Sequence, residues 1–444
     1  MKRAFKSDAV YLLSFFLLVI LAGALLLHTP AAWSGTPDKA ERLPFIDALF
    51  TATSAVCVTG LTTVDTSVFT PFGKTVIVLL IQVGGLGIIS FTSLMLIIPG
   101  RRLPFRRLKT IRSFSVEGVE SDPFRMVRSI VLSTFVIEGL GTLALFGLFS
   151  REGVPDSLFT AAFHSVSAFC NAGFSTFPDN LERFQGQPAL LGTISVLIVT
   201  GGIGFIVLQD LALRMLGARR RLSYHTKLML SLTAVLILAG AAAFWFLEAE
   251  STFRGMNPLD RAANALFQSI TPRTAGFNAV HQADLRQPSK FITILLMFIG
   301  GAPGSIAGGI KVATAYIVLV VMLKKANELG EINAFRRRLS PTTINTAVVY
   351  FIKASFLLIF AAGLLSVFEA GRGADFGHIA FEVTSAFGTV GLSLDFTAGL
   401  SPAGKLVIIG TMFTGRVGLL AFLFLGGTTR AGNFVYPEAD ILIG

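Results

Sequence analysis

Four glycines in similar short stretches are the residues of this chain whose spacing suggests chemistry. They end the segments SAVCVTG, SAFCNAG, ITPRTAG and SAFGTVG, at intervals of 113, 103 and 115 residues. Glycine permits positive φ, so the chain can turn carbonyl oxygens toward a common axis there. Rings of backbone carbonyls replace the hydration shell of a cation in selectivity filters. The pattern therefore predicts a cation site.

Each glycine completes a triplet, and together the triplets form the predicted filter. The triplets are Val58, Thr59 and Gly60; Asn171, Ala172 and Gly173; Thr274, Ala275 and Gly276; and Thr389, Val390 and Gly391. The fourth matches the Thr-Val-Gly of potassium-channel filters, whereas the others keep only the glycine. We therefore expect weaker discrimination between K⁺ and smaller cations than in a channel of four identical subunits. A tight loop would explain one such glycine, but not four at nearly equal intervals.

The composition requires a membrane for these stretches. The 444 residues are 53% hydrophobic and 14% charged, with a mean hydropathy of +0.71. Apolar runs near the roughly 20 residues that cross a bilayer are 9–27, 74–98, 127–149, 190–211, 228–247, 347–368 and 406–425, with an interrupted eighth at 291–323. They lack the alternation of barrel strands, so we expect helices.

A shorter apolar run precedes each glycine and is too short to span. The runs 44–56 and 375–387 are examples, and such a half-helix would aim the negative end of its dipole at the glycine. Non-helical backbone survives at membrane depth only in protein or along a water-filled cavity. The sequence therefore predicts an all-α polytopic membrane protein with four pseudo-repeats around a central pore. Each repeat has an outer helix, a re-entrant pore helix with a filter loop, and an inner helix.

The expected boundaries of the repeats are 1–112, 113–226, 227–338 and 339–444, the last including a C-terminal tail. Basic residues crowd the connections 101–112, 219–227 and 324–338, which the positive-inside rule makes cytoplasmic. The filter loops then face outward. The net charge of +11 reports this topology, and we expect no nucleic-acid binding.

The third inner helix contains a break, GGAPGSIAGGIK, that predicts a movable gate beneath the filter. Its glycines and Pro303 cannot sustain one straight helix. The predicted gate residues are Gly300, Gly301, Ala302, Pro303, Gly304, Ser305, Gly308, Gly309 and Lys311, together with Arg416. A phosphate-binding loop is the alternative, but the GK[ST] order that it requires is missing.

Arg416 occupies the position where the other inner helices carry Gly85, Gly202 and Gly301, 25 to 29 residues after the filter glycine. Glycines in membrane helices commonly serve close packing, which is the simpler explanation for these three. An arginine does not fit that explanation. We expect Arg416 to face the pore, as a barrier or as a latch held by carbonyls or a carboxylate.

Several other residues leave alternatives open. Glu138 and Lys353 lie within predicted outer helices, where a proton or Na⁺ relay competes with a structural pair or helix contacts. Cys57 and Cys170 occupy matching repeat positions, so a disulfide is less favoured than two small buried thiols. The first segment also resembles a signal peptide, although the repeat needs it as a span.

The motifs SAVCVTGLTT, HSVSAFCNAGFS, QSITPRTAGFN and SAFGTVGLS, with GGAPGSIAGGIKV, GRVGLL and YPEADILIG, resemble the Trk/Ktr/HKT superfamily of K⁺ transporters, and within it the membrane subunits of bacterial Ktr systems. The resemblance implies K⁺ as the transported ion and no other cofactor, with Na⁺ dependence left open. It also implies a multi-pass protein of the bacterial cytoplasmic membrane, a homodimer, and a cytosolic ring of nucleotide-binding RCK subunits (KtrA-like). One departure is Ala302-Pro303, where relatives usually carry small or small polar residues.

The competing functions are a Na⁺-permeable or Na⁺-coupled carrier of the same superfamily and a membrane enzyme or lipid-handling scaffold. A membrane enzyme would require a cluster of polar catalytic residues, and the sequence does not suggest one. A voltage-gated channel is disfavoured because no span carries arginine at every third position.

Overall fold

The computed structural model describes residues 2–35, 42–94, 123–217, 221–324, 331–334 and 337–417. These form fourteen α-helices and one short hairpin. The helices are α1 (Lys2–Leu27), α2 (Phe45–Val56), α3 (Pro71–Leu94), α4 (Pro123–Arg151), α5 (Ser157–Phe169), α6 (Pro188–Gly202), α7 (Phe205–Met215), α8 (Tyr224–Leu247), α9 (Pro258–Ile270), α10 (Gln287–Phe298), α11 (Val312–Leu323), α12 (Pro341–Phe368), α13 (Phe376–Gly388) and α14 (Pro402–Val417). Strands β1 (Asn333–Ala334) and β2 (Arg337–Arg338) pair antiparallel.

The helices follow one order four times along the chain. A long helix (α1, α4, α8, α12) is followed by a short one (α2, α5, α9, α13), and then by an inner helix that is single in α3 and α14 and divided in α6/α7 and α10/α11. A single 3₁₀ turn lies between each short helix and the inner helix after it, at Thr66–Val68, Glu182–Phe184, Gln282–Asp284 and Thr397–Gly399. The domain boundaries remain predictions.

Side-chain caps fix where several helices begin. Ser223, Asn257 and Ser340 each accept a hydrogen bond from the backbone N–H three residues later, at the starts of α8, α9 and α12. Proline opens α6, α9, α10 and α12, where its missing N–H leaves no donor unpaired.

Three helical stretches are each long and apolar enough to cross a membrane, among the described residues. They are Val127–Arg151, Tyr224–Leu247 and Pro341–Phe368, and the bent pair α6/α7 makes a fourth if it counts as one span. The apolar run predicted to span at 190–211 corresponds to this pair, in which the chain bends by 106° between α6 and α7. The predicted spans 74–98 and 406–425, the basic connection 101–112 and the tail 436–444 lie wholly or partly outside the described residues.

The core lies around the short helices. One phenylalanine on each, nine or ten residues before the filter glycine, is no more than 1% exposed: Phe50, Phe163, Phe267 and Phe381. By contrast, the long helices present large apolar side chains outward, such as Leu140 at 64% and Phe356 at 70% exposed. This arrangement, polar backbone inside and apolar side chains outside, suits a lipid environment.

Glutamates at the ends of the long helices hold the starts of the inner helices. Glu248 accepts a hydrogen bond from the amide of Arg286 (3.0 Å), and Glu369 accepts from both the amide and the hydroxyl of Ser401 (2.9 and 2.6 Å). A similar contact joins the end of α4 to the start of α6, where the Gln187 side chain donates to the Glu152 carboxylate (2.8 Å). These contacts fix inner helices relative to outer ones, and therefore fix the frame of the loops between them.

Candidate cation site

The backbone takes the same turn after each short helix. The first residue of every triplet has positive φ, at 56° for Val58, 57° for Asn171, 74° for Thr274 and 48° for Thr389, although none is glycine. The glycine two residues later also has positive φ in each triplet, between 69° and 98°. Left-handed backbone costs about 1–2 kcal/mol for most residues. Such strain persists only where surrounding contacts hold it, as at functional sites.

Those contacts come from a hydroxyl-bearing residue five or six positions before each glycine. The backbone oxygens of Ser54, Ser167, Thr271 and Ser385 accept hydrogen bonds from the middle residue of each triplet, at 2.7 to 3.0 Å. Their hydroxyls bind the filter as well. Ser54 and Ser385 accept from the amides of Gly60 and Gly391, and Ser167 donates to the oxygen of Phe174. This role was not predicted from the sequence, although Ser or Thr at this spacing recurs in all four motifs.

The four glycines form a closed ring in chain order. A Cβ atom built on any one of them would lie within 3.0 Å of the carbonyl oxygen of a neighbouring triplet's middle residue, closer than real Cβ atoms approach. Gly60 faces Ala172, Gly173 faces Ala275, Gly276 faces Val390, and Gly391 faces Thr59. No side chain fits at any of the four positions. The carbonyls of four separate loops therefore converge, and such oxygens are suitable ligands for a hard monovalent cation.

The predicted gate segment lies beside this ring as a loop between α10 and α11. It folds back on itself, since Gly300 donates to the oxygen of Ile310 at 2.8 Å. It also bonds to the break between α6 and α7: Ala302 donates to Gly202 (2.9 Å), and Phe205 donates to Gly304 (3.1 Å). The loop and the bend therefore form one hydrogen-bonded unit.

The loop also touches the fourth filter triplet directly. A Cβ built on Gly308 would lie within 3.0 Å of the Thr389 hydroxyl, and one on Gly309 would lie 3.3 Å from Cα of Gly388. Glycine at both positions allows the loop to pack against the start of the fourth triplet.

Arg416 contacts the loop and the first inner helix together. It is only 7% exposed, and its guanidinium donates to the backbone oxygens of Ile306 and of Gly84, the second at 2.9 Å. The Lys311 ammonium donates to the oxygen of Ala307 within the loop. A charged donor on backbone carbonyls makes a strong hydrogen bond in a low-dielectric site. Arg416 thus links the loop to α3 through hydrogen bonds.

The inner-helix glycines pack against the ends of the short helices. A Cβ on Gly84, Gly201 or Gly415 would lie within 3.0 Å of the oxygen of Val56, Phe169 or Phe387, respectively. Close packing is therefore what these three glycines permit. The bend after α6 is an additional feature that sequence reasoning missed, and it occurs at Gly204, whose φ is +91°.

Glu138 and Lys353 do not meet. Glu138 is 4% exposed and accepts a hydrogen bond from Gln82 of α3 (3.1 Å), with the Cys170 thiol 3.7 Å away. Lys353 is exposed on α12. Glu138 therefore contacts neighbouring helices, and a proton or Na⁺ relay through it stays a prediction. Cys57 and Cys170 are both buried free thiols, so they form no disulfide.

A charged cluster joins the loops that follow the second, third and fourth short helices. The His281 imidazole lies 3.2 Å from a Glu182 oxygen through Nδ1 and 2.8 Å from an Asp395 oxygen through Nε2. Partial burial lowers the pKa of His281, but its hydrogen bonds to these carboxylates and their charges outweigh that effect and raise the pKa overall.

Asp65 and Asp179, two further acidic residues of the loops that follow short helices, interact with residues near them in the sequence. Asp65 caps a 3₁₀ turn, and Asp179 pairs with Arg183 (2.7 Å).

Comparison with known proteins identifies relatives along nearly the whole chain. Residues 2–426 match the family described as TrkH, cation transport protein. The Ktr system potassium uptake protein B of Bacillus subtilis is 37% identical over 445 residues, covering 99% of this chain and 97% of the relative. The potassium/sodium uptake protein NtpJ of Enterococcus hirae is 37% identical over 440 residues, covering 97% of this chain and 95% of the relative.

The fold has a solved counterpart. The crystal structure of the potassium transporter TrkH from Vibrio parahaemolyticus superposes with a TM-score of 0.75, covering 95% of this chain and 85% of that one, at 19% sequence identity. This similarity concerns the fold, since the sequences have diverged widely.

Proposed function

Because the chain belongs to the TrkH family of cation transport proteins, we propose that it takes up potassium ions across the cytoplasmic membrane through its ring of four glycines. The observation that carries the proposal is the closure of that ring: in every quadrant a glycine abuts the carbonyl of the next triplet, leaving no room for a side chain. Carbonyls in such a ring can replace the water that a K⁺ ion loses.

The loop from Gly300 to Lys311 is the proposed gate. It touches the fourth triplet at Thr389 and bonds to Gly202 of α6, while Arg416 fastens it to Gly84 of α3. In this position the loop occupies the space between three repeats below the filter. Opening then requires that the hydrogen bonds of Arg416 break or move with the loop.

Control by a cytosolic partner is part of the proposal. The relatives include proteins named as components of a Ktr system, and a nucleotide-binding RCK ring on a homodimer of this chain is the assembly that we expect. The partner would shift the balance between closed and open loop, which requires differential binding to the two states.

A Na⁺-permeable or Na⁺-coupled carrier is the second candidate. Three of the four triplets depart from Thr-Val-Gly, and one relative is named as a potassium/sodium uptake protein. Fewer ordered carbonyls weaken the preference for K⁺ over Na⁺.

The test is K⁺ uptake in bacteria that lack their own K⁺ uptake systems, with and without Na⁺, and with and without an RCK partner. Gly276→Ala should abolish saturable uptake, because its methyl group would meet the Val390 carbonyl. The matched control is Gly192→Ala, since nothing lies within 4 Å of a Cβ at that exposed helical position. Uptake that survives Gly276→Ala would refute the ring as the ion path. Uptake of Na⁺ in place of K⁺ would favour the second candidate.

A further inference from the structure

A small cavity lies where the third filter loop, α8, the end of α6 and the gate loop meet. Its volume is about 10 Å³, and its lining includes Ile198, Ile203, Ile270, Thr233, Arg273 and Gly301. That volume holds roughly one water molecule or one monatomic ion. The aliphatic part of the lining offers no hydrogen bonds, so the polar groups decide what can occupy the space.

The Arg273 guanidinium is the charged group of this cavity. Arg273 is 7% exposed and directly precedes the third filter triplet. Its side chain makes no hydrogen bond or ion pair with any other residue of the described ranges, and its Nε is buried without an acceptor. A nearly buried charge without a partner is unfavourable, and such groups normally pair with an opposite charge. The position therefore calls for a negative counter-charge.

Two further donors border the same space. The Thr233 hydroxyl on α8 is buried and has no hydrogen-bond partner in the described part of the chain. The Gly301 amide also donates no hydrogen bond to another described residue. A guanidinium, a hydroxyl and an amide can all donate to one acceptor. Arg273 is the one charged residue of the lining, so the set is unsuited to a cation.

We propose that this cavity binds one monatomic anion, chloride under ordinary conditions, held by Arg273, Thr233 and Gly301. The size of the cavity excludes phosphate, sulfate and carboxylate ligands, and with them lipid headgroups. Water fits by size, but it cannot neutralise the guanidinium. The anion binds beside Arg273, the residue that directly precedes the third filter triplet.

The site joins the elements that the proposed gate must move. Gly301 belongs to the gate loop, and the neighbouring Ala302 donates to the oxygen of Gly202, another residue of the lining. An anion shared by Arg273 and Gly301 therefore fastens the loop to the third filter stretch. A ligand that binds only this arrangement stabilises it and opposes loop movement. This consequence rests on the proposed function, whereas anion binding does not.

The first experiment locates the anion. The purified full-length protein is crystallised with bromide replacing chloride, and anomalous scattering is measured. We expect a bromide peak beside the Arg273 guanidinium, and its loss in Thr233→Val, which removes a donor but keeps the shape of the side chain. Thr346→Val is the matched control, because that exposed hydroxyl bonds only to its own helix, at the oxygen of Thr342. Water without bromide in the cavity of the unaltered protein would overturn the proposal.

The second experiment needs no crystals. Thermal unfolding of the protein is followed while chloride is replaced by gluconate at constant K⁺ concentration. Chloride should raise the unfolding midpoint by about 2 °C near saturation. Thr233→Val should reduce this shift, and Arg273→Gln should remove it, while Thr346→Val should keep it. A midpoint that does not depend on chloride would also overturn the site.

Cation flux then separates the two proposals. In liposomes, gluconate in place of chloride should accelerate partner-free K⁺ flux through the unaltered protein but not through Thr233→Val. If bromide binds and K⁺ flux is absent, the anion site stands and the proposed transport function fails. If K⁺ flux is present and bromide does not bind, the reverse holds.

Discussion

At the scale of single residues, the candidate filter depends on positions where a side chain cannot be accommodated. Each filter glycine combines positive φ with the close approach of a neighbouring carbonyl, so two independent constraints select glycine. The residues two positions earlier satisfy only the first constraint, and Val58, Asn171, Thr274 and Thr389 all occur there. Substitution should therefore impair K⁺ binding far more at the glycines than at the first residues of the triplets.

Gly391→Ser should lower the apparent affinity for K⁺ and the preference for K⁺ over Na⁺. Its Cβ would press against the Thr59 carbonyl, and overpacking of this kind costs about 1–3 kcal/mol. The expected loss of apparent affinity is about tenfold or more. Competition of K⁺ and Na⁺ in uptake assays measures both quantities. Unchanged affinity and preference, with normal amounts of protein in the membrane, would contradict the filter assignment.

His281 should make the stability of the protein depend on pH. Its folded-state pKa lies above the unfolded value of about 6.5, so its contribution is fully present below that pH. The contribution is lost as the pH rises through the raised folded-state pKa. Thermal unfolding between about pH 5.5 and 8.5 should show a steeper loss of stability for the unaltered protein than for His281→Gln.

The control for this experiment is His378→Gln, because the His378 ring packs against Phe396 and forms no ion pair within the described ranges. Parallel pH profiles for the unaltered protein and His281→Gln would exclude the cluster as the source of the dependence.

The repeated motif singled out the four glycines, whose role as a filter stays a prediction, and the resemblance to the Trk/Ktr/HKT superfamily that these motifs suggested is confirmed. The sequence did not identify the roles of Ser54, Ser167, Thr271 and Ser385, although they share the same repeat. Hydroxyl residues are common in membrane helices, so their type alone does not indicate which backbone groups they bind. Nor could the sequence indicate that Arg273 lacks a partner, since this depends on the distances to every neighbouring element.

At the scale of elements, the gate loop and the bend between α6 and α7 behave as one unit. Pro303 made the break in the third inner helix predictable. The bend at Gly204 was not predictable, because glycine is frequent in membrane helices and usually serves packing. The bend instead depends on a tertiary contact, the hydrogen bond from Phe205 to Gly304 in the loop.

Arg416→Ala should increase K⁺ flux in the absence of the partner. The substitution removes charged hydrogen bonds to Ile306 and Gly84, each worth about 1.5–3 kcal/mol in comparable sites. Loss of one such bond corresponds to about a tenfold shift toward the open loop. Flux into liposomes measures the effect. If flux is unchanged while the variant assembles normally, Arg416 has a structural role and does not hold the gate.

The effect of Gly308→Ala on stability should depend on the side chain at position 389. A methyl group on Gly308 would meet the Thr389 hydroxyl, so loop and filter cannot both keep their positions. We expect a loss of about 1–3 kcal/mol in stability, partly restored when Thr389→Ala is added. Thermal unfolding of the two single variants and the double variant gives the interaction energy. Strict additivity would show that the loop does not pack against the filter at this point.

At the scale of the whole molecule, an ion pair connects the first group of helices to the last. Lys405 at the start of α14 donates to Asp47 at the start of α2 (2.6 Å), and both side chains are nearly buried. The ring of glycines closes at the same junction, where Gly391 faces Thr59. The pair therefore joins the same first and last groups of helices that meet at Gly391 and Thr59.

Lys405→Met should destabilise the protein by about 3 kcal/mol, because it leaves the Asp47 carboxylate nearly buried without its partner. The exchange of both charges, Asp47→Lys with Lys405→Asp, should recover part of the loss. Asp179→Asn is the comparison, since its pair with Arg183 is more exposed and should contribute less than about 1 kcal/mol. Equal effects of Lys405→Met and Asp179→Asn on thermal unfolding would exclude a special role for the Asp47 pair.

The four glycines of the closed ring occupy four separate positions of one chain, and this has an experimental and an evolutionary consequence. In a channel of four identical subunits, one mutation alters all four quadrants at once. Altering a single quadrant there requires that the four subunits first be linked into one chain. Here each quadrant can be varied separately and in any combination. Selection has the same freedom, so one quadrant can drift toward weaker ion coordination while another retains Thr-Val-Gly.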